Sequence, residues 1–188
     1  MLKLLASILL FVLTLVSKVD ATPLLRTDSL TVTAGSTFEL PVTIQGATDL
    51  YAYQFDLTFN PSTLKLDSIF EGDFLATVGG TFFIGGTIDN SLGVASFTIN
   101  SLLGPGAGSS GDGKLALFKF LALAPGISPI VIENVILLNS ELNEVPAEEA
   151  SNLITIQGTT PVPEPAAVSL IGLGFGALVL LTRLNYRR

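Results

Sequence analysis

Several segments between residues 22 and 158 alternate apolar and polar side chains with a period of two. In "YAYQFDLTF" the odd-numbered positions from Tyr51 to Phe59 are aromatic residues or Leu, and the even-numbered positions are Ala, Gln, Asp and Thr. Such a pattern is typical of a β-strand with one buried face. We predict further strands in "VASFTIN", "KLALFKFLAL", "PIVIENVILLN" and "NLITIQ", and several more within "SLTVTAGSTFELPVTIQGATDLYAYQFDLTFNPSTLKLDSIF".

Turn residues separate these strands at short intervals. Turns are predicted at "NPST", Gly79-Gly80, Gly85-Gly86, Gly104 to Gly113 and Ala124 to Pro129. The acidic stretch "NSELNEVPAEEASN" is predicted to be a loop with one helical turn. No segment of this region shows ten residues of helical periodicity. We therefore predict an all-β domain, an antiparallel β-sandwich, with a β-barrel as the alternative.

The first 21 residues have the layout of a secretory signal peptide. Lys3 supplies a positive start, Leu4 to Val16 is an uncharged run, and Val19 and Ala21 occupy the −3 and −1 positions of a cleavage site. An uncleaved anchor is the alternative, but this run would form only about 20 Å of helix, against a hydrocarbon core of about 30 Å. We predict that residues 1–21 are removed by cleavage after Ala21.

A second apolar segment lies near the C-terminus. Residues 166–182 carry no charge. This segment is 17 residues long, which is about the minimum length for a membrane-spanning helix. Positive charge marks the cytoplasmic side, so we predict a transmembrane helix that runs from outside to inside, followed by a basic cytoplasmic tail at 183–188. A Pro/Thr-rich spacer, 159–165, precedes it. The basic stop consists of Arg183, Arg187 and Arg188.

The predicted domain is strongly acidic. Residues 22–158 contain four basic side chains, Arg26, Lys65, Lys114 and Lys119, and fourteen acidic ones. Such a domain repels the phosphates of nucleic acids, and it has no basic patch that could bind them. We therefore exclude a nucleic-acid partner.

The chain contains neither histidine nor cysteine. The absence of histidine removes the usual general base, and both absences exclude Ser-His-Asp and Cys-His nucleophiles. Zinc sites built from imidazole or thiolate are excluded in the same way. We predict no catalytic residue, no metal site and no cofactor, although a structural calcium ion stays open.

Three remaining features have a structural and a functional interpretation. The segment from Gly108 to Lys114 nearly matches the motif of a phosphate-binding loop, but Leu115 occupies the position where Ser or Thr would bind magnesium. We therefore interpret this segment as a hairpin connection. The carboxylate pairs, such as Glu71 with Asp73, are interpreted as surface charges rather than a glycosidase pair. Tyr51 and Tyr53 are interpreted as core residues rather than a sugar-stacking platform.

The C-terminal residues resemble a PEP-CTERM sorting signal. All three elements of that signal are present: the motif Pro163, Glu164 and Pro165, the apolar span at 166–182, and the basic end. This resemblance implies a Gram-negative, exopolysaccharide-producing bacterium. It also implies processing by an exosortase, a membrane enzyme that would cut near the motif and pass the protein from the inner membrane to the cell surface or extracellular matrix.

The domain itself resembles a cohesin domain. The resemblance is carried by "LTVTAGSTFELPVTIQGATDLYAYQFDLTFNPSTLKLDSIF", in which a strand ends in "FNPSTL", and by "GVASFTIN", "GSSGDGKLALFKFLAL" and "NLITI" further along. It implies a jelly-roll sandwich and a non-catalytic module that binds dockerin modules. The polar side of the strand from Tyr51 to Phe59 is then the candidate binding face, with Gln54, Asp56 and Thr58 as its residues.

Three functions follow from these observations. The first is an exported binding module whose ligand is either a dockerin-like protein or an extracellular polysaccharide. The second is a structural protein of the exopolysaccharide or biofilm matrix without a specific ligand. The third, a hydrolase that uses paired carboxylates, agrees poorly with the composition. The sequence favours the first.

Overall fold

The computed structural model describes residues 22–159, which form twelve β-strands and, within this range, no helix. This confirms the predicted all-β class. The strands are β1 (Leu24–Arg26), β2 (Leu30–Thr33), β3 (Thr37–Thr58), β4 (Leu64–Glu71), β5 (Thr81–Ile84), β6 (Thr87–Asp89), β7 (Val94–Leu102), β8 (Ser109–Ala122), β9 (Gly126–Asn139), β10 (Glu144–Val145), β11 (Glu148–Ala150) and β12 (Asn152–Gln157).

The strand β3 is 22 residues long and takes part in both layers of a sandwich. Its first half pairs with β8 and β1, and its second half pairs with β7 and β9. Between the halves, Gly46 and Asp49 adopt positive φ angles of 68° and 55°, and the register with β8 shifts. The turn residues of this region predict separate strands, whereas the chain bends at Gly46 and Asp49 and continues pairing.

Two layers result from these pairings. The front layer contains β5 and β6, β7, residues 50–58 of β3, residues 131–139 of β9, and β10. The back layer contains β4, β8, residues 37–45 of β3, β1 and β11. β12 pairs with the first half of β9 and with β2. The predicted β-sandwich is therefore confirmed, and the barrel alternative is not adopted.

The hydrophobic core lies between the layers. Phe55 of the front layer contacts Phe118 of the back layer with ring centroids 6.1 Å apart, and Phe59 meets Phe120 edge to face at 5.2 Å. The predicted alternation in β3 is confirmed, because Tyr53, Phe55, Leu57 and Phe59 are all buried. A domain without disulfide bonds depends on this burial for its stability.

The strands near the two ends of the domain depart from the antiparallel expectation. β11 pairs with β1 in parallel, and β12 pairs with β2 in parallel. The end of the domain therefore returns alongside its start and protects the edges of these strands. A parallel pairing between segments more than 100 residues apart leaves no signal in local alternation.

One predicted loop and two predicted turns were wrong in part. The acidic stretch expected to hold a helical turn forms β10 and β11, which pair with β9 and β1. β8 already begins at Ser109, inside the predicted Gly104–Gly113 turn, because its backbone pairs with β3. Likewise β9 begins at Gly126, inside the predicted Ala124–Pro129 turn, because it pairs there with β12.

Several predictions fall on residues outside the range that the structure describes. These are the signal peptide with its cleavage site at Ala21, most of the spacer with Pro163, Glu164 and Pro165, the apolar span at 166–182, and the basic stop of Arg183, Arg187 and Arg188. Within residues 22–159 there is no helix that is long and apolar enough to cross a membrane. The domain boundaries at these ends stay predictions.

Candidate functional site

The outer side of the front layer carries a cluster of apolar side chains arranged in rows. The register pairs Ile84 with Ile99, Ile99 with Gln54, and Gln54 with Ile136. Neighbouring strands lie about 4.8 Å apart, so this row crosses four strands over roughly 15 Å. A second row, two residues along, consists of Phe82, Ser101, Ala52 and Leu138.

These apolar side chains remain accessible to solvent. Phe82 is 57 % exposed, Ile84 45 % and Ile136 41 %, and Phe97 next to the rows is 58 % exposed. A contiguous apolar patch on a soluble domain marks an interaction site, whereas single exposed apolar residues do not. We call the patch formed by Phe82, Ile84, Phe97, Ile99, Ile136 and Leu138 the apolar face.

Asp56 fixes the backbone in the middle of the front layer. Its Oδ1 accepts a hydrogen bond from the Phe97 N–H at 2.7 Å, and its Oδ2 accepts one from the Asn134 Nδ2 at 2.8 Å. Phe97 and Asn134 have positive φ angles of 60° and 52°, and the register of β3 with β7 and with β9 shifts beside them. The carboxylate therefore holds a β-bulge on each side of β3, and Phe97 lies exposed within one of them.

The three predicted binding residues lie on the outer side of β3, as the alternation indicated. Gln54, Asp56 and Thr58 are all half-buried. Gln54 lies between Ile99 and Ile136, and Thr58 lies between Val94 and Val131. Their role in binding stays a prediction, and Asp56 has in addition the structural role just described.

Sequence reasoning missed the apolar residues that surround Gln54. Phe82 and Ile84 belong to "TFFI", in which both sides of the strand are largely apolar, so alternation could not show which side faces solvent. Ile136 follows the bulge at Asn134, which shifts the alternation by one residue. A count of apolar residues on both sides of β5 and β9 would have been the only available signal.

Charge is distributed unevenly between the layers. All four basic residues of the described range belong to back-layer strands: Arg26 to β1, Lys65 to β4, and Lys114 and Lys119 to β8. The front layer instead carries Asp56 directly opposite Glu133, and Glu144 opposite Leu138. The apolar face is therefore bordered by negative charge, which favours a partner with positive charge around an apolar centre.

Three carboxylates, Asp89 and the pair of Glu71 and Asp73, make structural contacts. Asp89 accepts hydrogen bonds from the Ser91 hydroxyl and from the backbone N–H groups of Ser91 and Leu92, and these bonds lower its pKa. Glu71 accepts a bond from Asn100 at 2.9 Å, and Asp73 lies 3.8 Å from Lys114. Among residues 22–159 no group of three or more acidic side chains is placed to hold a metal ion.

The tyrosines confirm the core interpretation. Tyr53 is 2 % exposed, its hydroxyl donates to the Leu115 carbonyl, and burial raises its pKa above the ordinary value. Tyr51 is half-buried and donates to the Gly104 carbonyl at 2.5 Å. The Tyr53 ring is therefore enclosed in the core, and the Tyr51 ring packs against it. The Gly108–Lys114 segment belongs largely to β8, so it is not a phosphate-binding loop either.

Comparisons with known proteins agree with this architecture. The model of the cohesin domain family matches residues 25–157. Similar solved structures include a non-cellulosomal cohesin from the archaeon Archaeoglobus fulgidus, which is 17 % identical with a TM-score of 0.58, covering 79 % of this chain and 97 % of that one. No curated protein is similar to the chain in sequence.

Two bacterial cohesins have the same fold. The cohesin of the Coh-OlpC–Doc435 cohesin–dockerin complex from Clostridium thermocellum has a TM-score of 0.63 at 11 % identity, covering 76 % of this chain and 98 % of that one. The solution structure of CaCohA2 from Clostridium acetobutylicum has a TM-score of 0.61 at 19 % identity, covering 76 % and 95 %.

Proposed function

Because this chain belongs to the cohesin domain family, we propose that it binds a protein partner through its apolar face. Cohesin domains are non-catalytic protein-binding modules, so the chain is not an enzyme. The observation that carries the proposal is the row of Ile84, Ile99 and Ile136 around Gln54, exposed on four adjacent strands. Apolar side chains at the centre of an interface, with polar groups around them, are the usual arrangement of a docking surface.

The partner that fits best is a dockerin-like module. One similar cohesin was solved in complex with a dockerin, and its fold is shared by this chain. The acidic border formed by Asp56, Glu133 and Glu144 further specifies the partner surface: an apolar centre with lysine or arginine side chains near it. Gln54 and Thr58 would supply hydrogen bonds within the same surface.

A capture experiment tests this function. The full chain is immobilised and exposed to the secreted proteins and the exopolysaccharide of its source organism, beside an Ile84→Asn variant. The amide removes an apolar contact without changing the charge. We expect a protein with repeated calcium-binding loops to be retained by the original chain and lost by the variant.

The other outcomes of the capture experiment are equally informative. Polysaccharide retained without protein would move the domain to the carbohydrate-binding class and overturn the dockerin-like partner. If neither pool is retained, a structural role in the exopolysaccharide or biofilm matrix becomes the better account. Retention of the same protein by the Ile84→Asn variant would place docking away from the apolar face.

We propose further that the chain is exported and sorted to the cell surface or extracellular matrix of a Gram-negative bacterium. The support is the sequence alone: the signal-peptide layout ending at Ala21, the motif Pro163-Glu164-Pro165 and the basic stop from Arg183 to Arg188. The apolar helix would hold the precursor in the inner membrane, with the motif outside for an exosortase-type enzyme.

Sorting is tested by Glu164→Ala in the native host. We expect the variant to accumulate as an inner-membrane precursor of unprocessed length, because the processing enzyme no longer recognises the motif. The control is Glu148→Ala, which removes a carboxylate from β11. Processing of both variants at the original rate would rule out the sorting signal.

A further inference from the structure

A groove lined by both polar and apolar atoms is formed among strands of the back layer, which do not carry the apolar face. It has a volume of about 470 Å³ and is formed by β1, the first half of β3, the start of β8 and the segment after β4. Small-molecule sites in proteins usually measure roughly 300–1,000 Å³. Its polar lining includes Arg26, Asp28, Thr43, Asp73, Asp112 and Lys114.

The strand register places two cations on either side of a hydroxyl at the base of this groove. Arg26 of β1 pairs with Thr43 of β3, and Thr43 pairs in turn with Lys114 of β8. With strands about 4.8 Å apart, the two cationic residues lie about 10 Å from each other. Arg26 and Thr43 follow the buried residues Leu25 and Val42, and Lys114 is exposed where it pairs with Thr43, so the three side chains share one side of the layer.

Carboxylates accompany both cations without engaging them strongly. Asp28 accepts from Arg26 at 3.4 Å, and Asp73 lies 3.8 Å from Lys114. All four side chains are at least 42 % exposed, and ion pairs of this length and exposure contribute little. Donors and acceptors therefore remain available at the groove.

The mixture of charges selects the class of ligand. An anion would meet three carboxylates, Asp28, Asp73 and Asp112, and a metal ion would meet Arg26 and Lys114. A neutral ligand with many hydroxyl groups suits the groove, because each hydroxyl both donates to a carboxylate and accepts from a guanidinium or ammonium group. We propose that this groove binds a neutral saccharide of one or two rings.

This site is separate from the docking surface. Arg26 and Lys114 belong to the back layer, and the apolar face belongs to the front layer. One domain could thus hold a protein partner on one side and a glycan on the other. Sugar binding is therefore expected to be unaffected by Ile84→Asn.

Titration of the purified full chain with cellobiose, maltose and mannobiose tests the proposal. The chain is kept in a detergent without a sugar headgroup, and binding is followed by saturation-transfer NMR and by calorimetry. We expect at least one disaccharide to bind with Kd on the order of 1 mM, which is typical of a small site with a few hydrogen bonds. Lys114→Met and Arg26→Gln are each expected to weaken binding at least about tenfold.

Lys65→Met is the matched control. Lys65 also pairs with an aspartate, at 3.0 Å, but it lies on β4 and does not line the groove. The Lys65→Met variant should bind the disaccharide as tightly as the original chain. All variants should keep the circular dichroism spectrum of the folded protein. The proposal is overturned if no disaccharide binds the folded chain, if Lys114→Met binds unchanged, or if glucuronate or inorganic phosphate binds more tightly than the neutral sugars.

Discussion

At the scale of single residues, the Asp49 carboxylate joins three segments that are distant in sequence. Its Oδ1 accepts from the Gly108 N–H at 2.5 Å, and its Oδ2 accepts from the Ser140 hydroxyl at 2.6 Å and the Ser140 N–H at 3.2 Å. These bonds lower the pKa of Asp49. The side chain thus stabilises the bend of β3 against the loops that precede β8 and follow β9.

Replacement of Asp49 by Asn is expected to lower the free energy of unfolding at pH 7 by about 1–2 kcal/mol. Hydrogen bonds to a charged group contribute about 1.5–3 kcal/mol, and partial exposure reduces this. Because the folded pKa lies below the usual 3.8, the carboxylate stabilises the fold above that pH and loses its contribution as pH falls through the folded pKa. The loss of unfolding free energy caused by Asp49→Asn, measured by urea unfolding, should be smaller at pH 3 than at pH 7.

Asp67→Asn is the control for this prediction. Asp67 is an exposed residue of β4 whose side chain accepts a bond only from Lys65 among the residues described, so the change should cost less than about 0.5 kcal/mol. An equal cost for the two substitutions, or a deficit of Asp49→Asn that does not depend on pH, would contradict the role given to Asp49.

At the scale of elements, the turn between β6 and β7 requires a glycine for two reasons. Gly93 has φ 71°, and a Cβ atom there would lie 2.2 Å from the Phe59 carbonyl oxygen and 2.7 Å from Pro61. Its own carbonyl accepts from the Phe59 N–H at 2.8 Å. The close approach ties the end of β3 to the start of β7 and so supports the front layer.

The comparison of Gly93→Ala with Gly46→Ala separates these two reasons. Gly46 has φ 68° but open space around it, so alanine there costs only the left-handed backbone conformation, about 1–2 kcal/mol. At Gly93 the collision with backbone adds about 1–3 kcal/mol. Denaturant unfolding should give a clearly lower free energy of unfolding for Gly93→Ala than for Gly46→Ala. Equal stabilities would mean that the Phe59 segment moves away freely.

Individual strands were predictable from the sequence, but their partners were not. The alternation from Tyr51 to Phe59 correctly separated the buried from the outer side of β3, because that signal is local. The pairing of Ile136 and Ile84 with the same row depends on contacts between residues about 50 positions apart. The bulges at Phe97 and Asn134, which alter the alternation, are held by Asp56 from another strand and have no local sequence signature.

At the scale of the whole molecule, the confinement of the described basic residues to one layer predicts how a partner approaches. The front layer is acidic and the described basic residues lie in the back layer, so a cationic partner surface is steered toward the apolar face. Glu133→Gln should therefore slow association several-fold at low ionic strength, and the difference should fade in high salt.

Glu39→Gln controls for the loss of one charge. Glu39 lies in the first half of β3, opposite Lys119 in the back layer, and its removal should change the association rate little. Association rates measured by stopped flow over a series of salt concentrations provide the comparison. Equal slowing by both variants would show that net charge, not its location, governs the approach.

Two isoleucines of β9 provide a direct test of whether the apolar face is the docking surface. Ile136 lies in the central row and is 41 % exposed, whereas Ile127 is 56 % exposed and pairs with β12 instead of β3. The measurement is the dissociation constant of the captured protein partner for Ile136→Asn and for Ile127→Asn. We predict a loss of at least about 2 kcal/mol, roughly 30-fold in Kd, for Ile136→Asn and an unchanged Kd for Ile127→Asn. Equal affinities for the two variants, or a greater loss for Ile127→Asn, would contradict the account.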